Sequence, residues 1–369
     1  MDVEKYIQNI KNSKLNQYFQ NNLLELNPFR NHKIENYKYA QLNKIDYNIA
    51  HKNIHSIDLN IKDNFHDIFK NAKTMEHVTL DHMQWTFNAP DSPIRLSSLI
   101  KDPVVHSFDL NNFNEEVCII DLSNYLELNF IFDYSNNEKM SLIIIDSEIN
   151  SNKSPRYLKF NIHEKANIEI LQMSYNKENS LIFYEFNQND SSNVNLTALQ
   201  ANNVQLRNEF YFNLASHCST KISGTNFCNL GVNDNYSFIQ HNKPDSSSKE
   251  VFKSIVDHGA ITNFQGKIYV DKIAQKTDGY QMSRSLLLDD ISKSNNKPEL
   301  EIYADDVKCS HGSTISKIDQ DHLYYFNSRG ISSDLATKIL KKAFIQEVLD
   351  SIENVSLKQI SDKIVSSFL

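Results

Sequence analysis

Glycine, proline and tryptophan are scarce in this chain of 369 residues, which contains 7 glycines, 7 prolines and 1 tryptophan. Glycine normally makes up about 7% of a protein and supplies most left-handed turn positions. Asparagine is abundant here and tolerates the left-handed conformation next best. We therefore expect asparagine to take over the turn positions that glycine usually occupies.

Cysteine is also rare, with only Cys118, Cys218, Cys228 and Cys309. No two of them form a Cys-x-x-Cys pair, which excludes a zinc ribbon and a thioredoxin-like motif. The simplest interpretation is four free thiols in a reducing compartment, and a Cys218–Cys228 disulfide is the less favoured alternative.

No run of about 18 apolar residues occurs, so no segment is expected to span a bilayer. The polar first residues are not followed by the apolar stretch of a signal peptide, which predicts a cytoplasmic protein. The formal net charge of −8 gives no basic field for nucleic acid or an anionic membrane. The phosphate-loop, Gly-x-Ser-x-Gly and His-Glu-x-x-His motifs are absent, which excludes those routes of catalysis.

Residues 117–305 consist of short apolar segments, separated by clusters of Asn, Ser, Asp and Lys. Phe210, Phe212 and Leu214, for example, alternate with polar residues as in a half-buried strand. Regular short strands with turn signals predict an all-β architecture. This pattern alone leaves a sandwich, a barrel and a β-helix open.

Helical spacing of apolar residues appears at both ends of the chain. Residues 1–50 are predicted to be helical and polar, and residues 51–115 irregular with short strands. In residues 331–369, Ser332 or Ser333 is predicted to cap one helix, and Ser356 to open a second through a capping box. The predicted apolar stripe of the first helix is Leu335, Ile339, Ala343, Phe344, Val348 and Ile352, and that of the second is Ile360, Ile364 and Val365.

Cys309 and His311 are the candidate metal ligands. They follow a predicted strand that begins at Leu300 and are two residues apart, so a continuing strand would project both side chains from one face. A thiolate and an imidazole can bind iron or zinc, but a closed tetrahedral site needs about four ligands. The alternative interpretation is a small buried cysteine and a hydrogen-bonded turn histidine.

Other polar groups are interpreted as structural. Asp305 and Asp306 are adjacent, so strand geometry would point them to opposite faces, where they could not share a substrate. His217 and His241 have no partners that suggest chemistry, and we expect them to form structural hydrogen bonds.

The sequence LEIYADDVKCSHG, at residues 300–312, resembles the SufB/SufD family of the SUF iron–sulfur cluster assembly system. The resemblance extends to AQKTD at residues 274–278, LYYF at residues 323–326 and SRGI at residues 328–331. It covers about a third of the chain, residues 250–350. The run from Asp305 to Gly312 favours the SufD branch of this family over the SufB branch.

The resemblance implies a mainly β fold: a right-handed parallel β-helix flanked by N-terminal and C-terminal helical regions. The expected organisation is an N-terminal helical and irregular region at residues 1–115, a β-helix core at residues 116–318 and a C-terminal helical region at residues 319–369.

The implied function is that of a non-catalytic scaffold for building iron–sulfur clusters. A transient cluster would be shared with a SufB-like partner through Cys309 and His311, and none would be tightly bound to the isolated chain. A SufC-like ABC ATPase would dock on the C-terminal helices, where the candidate contacts are Leu335, Ile339, Phe344 and Val348. The isolated chain could form a homodimer.

Two alternatives remain open. One is a SufB-type scaffold of the same system. The other is a β-helix carbohydrate-active enzyme, although the sequence shows no cluster of acidic calcium ligands beside a basic catalytic residue.

Overall fold

The structure, a computed structural model, describes residues 73–74, 78–79, 105–113, 117–122, 129–146, 155–175, 180–202 and 205–369. The predicted N-terminal helices of residues 1–50 lie outside the described residues. The strands are β1 (Lys73–Thr74), β2 (Val78–Thr79), β3 (Val105–Asp109), β4 (Cys118–Asp121), β5 (Asn129–Tyr134), β6 (Lys139–Ile145), β7 (Arg156–Ile162), β8 (Asn167–Ser174), β9 (Ser180–Gln188), β10 (Asn193–Asn202), β11 (Gln205–Leu214), β12 (Ser219–Cys228), β13 (Val232–His241), β14 (Ser247–Val256), β15 (Ile261–Val270), β16 (Asp278–Leu287), β17 (Lys293–Ile302) and β18 (Lys308–Lys317). Three helices follow: α1 (Gln320–Ser328), α2 (Ser333–Asp350) and α3 (Val355–Phe368).

Consecutive strands from β3 to β18 alternate between two stacked sheets. Sheet A has the order β1-β4-β6-β8-β10-β12-β14-β16-β18, and sheet B has the order β17-β15-β13-β11-β9-β7-β5-β3-β2. All neighbours pair in parallel except β2 and β3. Each coil therefore contributes one strand to each sheet and lies on the coil before it. The predicted parallel β-helix with C-terminal helices is confirmed, and we call its stacked coils the solenoid.

An aromatic ladder fills the solenoid through its first coils. Inward-facing phenylalanines occupy matching positions of successive strands of sheet B, and their ring centroids lie between 4.4 and 5.2 Å apart. The ladder contains Phe108, Phe132, Phe160, Phe186 and Phe212, and the same column continues in Ile239, Ile268 and Leu300. Stacked rings bury large apolar areas at favourable offsets, so this column is a main source of stability.

Left-handed residues stack at one corner of the solenoid, one residue in each of five successive coils. They are Lys165, Ser191, His217, Asp245 and Lys276. The backbone N–H of each donates to a carbonyl oxygen of the next coil, at 2.6–3.2 Å. In the described part of the chain, no asparagine has a positive φ, so the prediction that asparagine replaces glycine in left-handed turns is wrong.

Several asparagines instead form ladders between neighbouring strands. Asn213 Nδ2 donates to Asn187 Oδ1 at 3.0 Å, and Asn295 Nδ2 donates to Asn263 Oδ1 at 2.8 Å. A parallel, in-register stack brings identical amides into hydrogen-bonding distance, so this use of asparagine depends on coil stacking rather than on local turn geometry.

Helices α2 and α3 cover the outer face of sheet A. Outward-facing Leu171, Leu199 and Ile255 share one apolar cluster with Ile345 and Leu349 of α2. The predicted Ile360, Ile364 and Val365 of α3 are also buried there. The helices are therefore part of the folded body, as their apolar stripes predicted.

The helix starts are confirmed in one case and corrected in the other. Ser332 caps α2, and its Oγ accepts a hydrogen bond from the N–H of Leu335 at 3.3 Å. Helix α3 begins at Val355 because Asn354 Oδ1 accepts from the N–H of Leu357 at 3.1 Å. The predicted capping box at Ser356 is therefore wrong, and Ser356 lies inside the helix.

Two polar side chains anchor the helices to the solenoid. Glu169 of β8 is buried and accepts hydrogen bonds from the N–H groups of Glu353 and Asn354, at 2.7 and 3.0 Å. Lys253 of β14 is also buried, and its Nζ lies 2.8 Å from both the carbonyl oxygen of Phe344 and the carboxylate of Glu347. Both residues therefore fix the C-terminal helices to sheet A through polar contacts.

Candidate functional site

Cys309 and His311 are the second and fourth residues of β18, the last strand of sheet A. In the register with β16, Cys309 lies beside Gly279 and His311 beside Gln281. Gly279 and Gln281 are both buried, which marks the inward face of the strand. The structure therefore brings Cys309 and His311 to one face, directed towards the interior of the solenoid.

The last coil has no further coil above it in the described residues. No described strand pairs with the free edges of β17 and β18. Cys309 is half-buried against the core, whereas His311 is exposed, because no described strand covers the inward-facing positions of this coil. The pair therefore lies at an open end of the solenoid that another molecule can reach.

Gly279 provides the space that the thiol of Cys309 occupies. A Cβ placed on Gly279 would lie 3.2 Å from Cys309 Sγ, which is closer than ordinary van der Waals contact. Burial raises the pKa of the Cys309 thiol, and the nearby Asp278 carboxylate raises it further. Free Cys309 is therefore a protonated thiol at neutral pH and would lose its proton on binding a metal.

The predicted strand is interrupted before the ligand pair. Strand β17 ends at Ile302, and β18 begins at Lys308. Asp305 and Asp306 lie in the intervening turn, where the N–H of Asp306 donates to Gln275 Oε1 at 2.9 Å. The expectation that these carboxylates alternate within a strand is wrong, and Asp306 is held by the corner of the preceding coil.

Other candidates from the sequence have structural positions. His241 is buried between the hydroxyls of Ser246 and Ser248, at 2.6 and 2.9 Å, and burial lowers its pKa to about 4. His217 occupies one of the left-handed corners. All four cysteines are free, which confirms the thiol prediction. In the described ranges, no group of three or more His, Cys, Asp or Glu side chains is arranged to hold a metal ion.

The predicted contacts on α2 separate into exposed and buried residues. Leu335 and Ile339 are 51% and 39% exposed. Val348 is fully buried, and Phe344 is partly buried beneath Lys253, whose Nζ lies 5.5 Å from its ring centroid. In this fold Val348 and Phe344 pack within the chain, which leaves Leu335 and Ile339 as the accessible apolar pair.

Sequence reasoning did not identify a buried carboxyl group close to the open end. Glu250 of β14 is fully buried, and Gln281 Nε2 donates to its Oε2 at 2.6 Å. Burial raises the pKa of Glu250 to about 7, and the hydrogen bond from Gln281 opposes the rise. Its position becomes apparent only from the register, since Glu250, Gln281 and His311 come from three different coils.

We expect Glu250→Gln to reduce the pH dependence of stability. The folded state raises the pKa of Glu250 from 4.5 to about 7, so it binds a proton that the unfolded chain has released. Stability therefore falls as pH rises between these values, by about 3 kcal/mol in all, and the glutamine variant lacks this contribution. Urea unfolding at pH 5 and pH 8 measures the difference.

Asp146 contributes in the same direction, because burial also raises its pKa to about 7. A residual slope is therefore expected in Glu250→Gln, and the matched variant Asp146→Asn should remove a similar part. Equal slopes in the wild type and Glu250→Gln would contradict the assigned burial effect.

Stacked parallel coils with an uncovered last coil define the class of this protein, a parallel β-solenoid. A family model described as the SUF system FeS cluster assembly SufBD core domain matches residues 116–344, more than half of the chain. The chain therefore belongs to the SufBD family of the SUF iron–sulfur cluster assembly system.

Curated relatives of this family have significant similarity over shorter segments. The chain is 36% identical over 157 residues to the iron–sulfur cluster assembly protein SufD of Escherichia coli, which covers 40% of this chain and 37% of that protein. It is 42% identical over 127 residues to a SufBD family protein of Synechocystis sp., covering 34% and 28% of the two chains. The chloroplastic protein ABCI7 of Arabidopsis thaliana is 40% identical over 126 residues, covering 34% and 26%. The aligned segments thus span between about a quarter and two fifths of these relatives.

In the described residues, no helix has the length and apolar character needed to cross a membrane.

Proposed function

We propose that this chain is a SufD-type scaffold on which a nascent iron–sulfur cluster is built as cargo at the open end of the solenoid. The single observation that carries the proposal is the placement of Cys309 and His311 on one inward face of the last, uncovered coil. Iron–sulfur clusters take thiolate ligands, and imidazole replaces thiolate in some of them. The family membership and the similarity to SufD of Escherichia coli support the same assignment.

Two ligands are half of the about four protein ligands that an iron–sulfur cluster usually has. The remaining ligands would come from a SufB-like scaffold that pairs with the free edges of β17 and β18. Exposed strand edges favour such pairing, and in the isolated chain they would favour a homodimer. A cluster shared between two chains is held transiently, because separation of the chains removes half of its ligands.

The chain itself would be non-catalytic. A SufC-like ABC ATPase would hydrolyse ATP and dock on the C-terminal helices, where Leu335 and Ile339 present apolar side chains to solvent. Cluster binding and ATPase docking would thus use different surfaces. The open coil would hold the cluster, and α2 would bind the ATPase.

Co-expression with a SufB-like scaffold and a SufC-like ATPase tests the proposal. Size-exclusion chromatography is expected to show one complex that contains all three chains. Iron and sulfide analysis is expected to find a cluster in that complex and none in the isolated chain. Elution of this chain apart from both partners would contradict the scaffold assignment, and a stable cluster on the isolated chain would contradict the shared site.

We expect the double variant Leu335→Asp/Ile339→Asp to weaken ATPase binding at least about tenfold, or 1.4 kcal/mol. Both side chains are exposed, so a charge there removes apolar contact with a partner without disturbing the buried face of α2. Isothermal titration calorimetry measures the affinity. Val355→Asp is the matched control, since Val355 is an exposed apolar residue of α3; equal affinities of the double variant and this control would exclude the α2 surface.

A further inference from the structure

A column of inward-facing residues runs beneath His311. His311 of β18 lies beside Gln281 of β16, and Gln281 lies beside Glu250 of β14 in the parallel register. Adjacent strands of a sheet are about 4.8 Å apart. Gln281 therefore lies between a buried carboxyl group on one side and the exposed imidazole on the other.

The hydrogen bond to Glu250 determines the orientation of the Gln281 amide. Gln281 Nε2 donates to Glu250 Oε2 at 2.6 Å, and an ionised carboxylate can only accept hydrogen bonds. This interaction assigns the nitrogen of the amide to the Glu250 side. Gly266 on the facing strand β15 leaves the space in which this amide lies, because a Cβ there would overlap Gln281.

The other end of the amide lacks a partner. Gln281 is fully buried, and its Oε1 accepts no hydrogen bond from any described residue. A buried carbonyl oxygen without a donor is unfavourable, so a group that donated to it would be stabilising. In the column, the next side chain with an N–H to donate is the imidazole of His311.

A histidine that binds a metal through one ring nitrogen usually donates its other ring N–H to an oxygen acceptor. That hydrogen bond fixes the tautomer and the orientation of the ring, so the ligating nitrogen is free and correctly aimed. A neutral amide acceptor performs this task without adding charge beside the metal.

We propose that Gln281 is a positioning residue for His311: its Oε1 accepts a hydrogen bond from one ring N–H and leaves the other ring nitrogen available to the cargo iron. Glu250 holds the amide in the required orientation from below. This inference rests on the proposed function, in which His311 is a cluster ligand.

Nitrogen NMR of the ¹⁵N-histidine-labelled full chain at pH 8, where Glu250 is ionised, tests the hydrogen bond directly. The His311 signals are assigned by their absence in His311→Asn. We expect one neutral tautomer in the wild type and a mixture of two tautomers in Gln281→Leu, which offers no acceptor. Gln200→Leu is the matched control, since Gln200 is another buried glutamine of sheet A but has no register contact with β18; it should leave the His311 signals unchanged.

An exchanged pair provides a second, independent variant. In Glu250→Gln/Gln281→Glu, residue 250 can donate to residue 281, and the new carboxylate offers His311 an acceptor. We expect this double variant to restore the single tautomer. If circular dichroism shows that Gln281→Leu does not fold, the exchanged pair still tests the hydrogen bond.

Cluster loading of the complete complex separates the two proposals. We expect Gln281→Leu to slow loading at least about tenfold relative to Gln200→Leu, as for other residues that orient metal ligands. A single wild-type tautomer of His311 in Gln281→Leu would overturn the positioning role, and so would a mixture of two tautomers in the exchanged pair. A changed tautomer in Gln281→Leu together with normal loading by His311→Ala would overturn the cluster-ligand role of His311 while the hydrogen bond itself stands.

Discussion

Replacement of either Cys309 or His311 by alanine is expected to abolish stable cluster loading on the complete complex. Each substitution removes one of the two candidate ligands that this chain presents at the open coil, and a cluster iron left short of a ligand is lost. The fold should be little affected, because Cys309 is only half-buried and His311 is exposed. We expect the free energy of unfolding to fall by less than about 1 kcal/mol for His311→Ala.

The measurement is visible absorbance of the purified complex, together with iron and sulfide content. Ser310→Ala is the matched control, because Ser310 is also exposed on β18 but alternates to the opposite face. Its complex should load normally. Wild-type cluster yield in both the Cys309→Ala and the His311→Ala complexes would refute the site.

The substitution Phe186→Ala is expected to destabilise the chain by about 3–5 kcal/mol. Its ring is fully buried and stacks on both sides, with centroids 4.6 Å from Phe160 and 4.4 Å from Phe212. Truncation therefore leaves a cavity in the middle of the ladder and removes two ring contacts. The neighbouring coils cannot move in to fill this cavity, because the backbone hydrogen bonds fix the spacing of the strands.

Urea unfolding followed by circular dichroism measures the loss. Phe238→Ala is the control, since Phe238 is a partly buried ring on the outer side of sheet B, 5.5 Å from Tyr211 between centroids. It should cost clearly less than Phe186→Ala. A loss below about 1.5 kcal/mol for Phe186→Ala would mean that the ladder is not a principal source of stability.

The strand pattern was readable from the sequence, but the way the strands stack was not. Alternation such as Phe210, Phe212 and Leu214 predicts a strand wherever that strand lies, so it fits a sandwich, a barrel and a β-helix equally. The repeat that would have distinguished them is irregular: Leu196 and Ile222 are 26 residues apart in register, whereas Gln281 and His311 are 30 apart. The resemblance to a known family, rather than periodicity, predicted the solenoid.

The errors have the same physical origin. Asparagine was assigned to turns from its local preference, but neighbouring coils use its amide in ladders. The predicted stripe of α2 correctly included Phe344 and Ile352, but it also included the exposed Leu335 and Ile339 and missed Ile345 and Leu349, which join the cluster with sheet A. In each case the deciding contact is with a residue distant in the sequence, which a local pattern does not contain.

The candidate site, too, was predictable from the sequence only where a feature is local to one strand. The spacing of Cys309 and His311 was sufficient to predict that they share a face, because that property is local to one strand. Gly279, which makes room for the thiol, and Gln281, which pairs in register with His311, belong to the preceding coil. Only the register of β16 with β18 relates them to the site.

The contacts of Glu169 and Lys253 have a mechanical consequence for the whole molecule. They attach the region from Phe344 to Asn354 to β8 and β14, strands that are separated by β10 and β12 in sheet A. A partner protein that pulled on α2 would apply its force to the Glu169 and Lys253 contacts at the same time. The helices would therefore not separate from sheet A one turn at a time. Such a force would therefore move the solenoid and its C-terminal helices together as one rigid body.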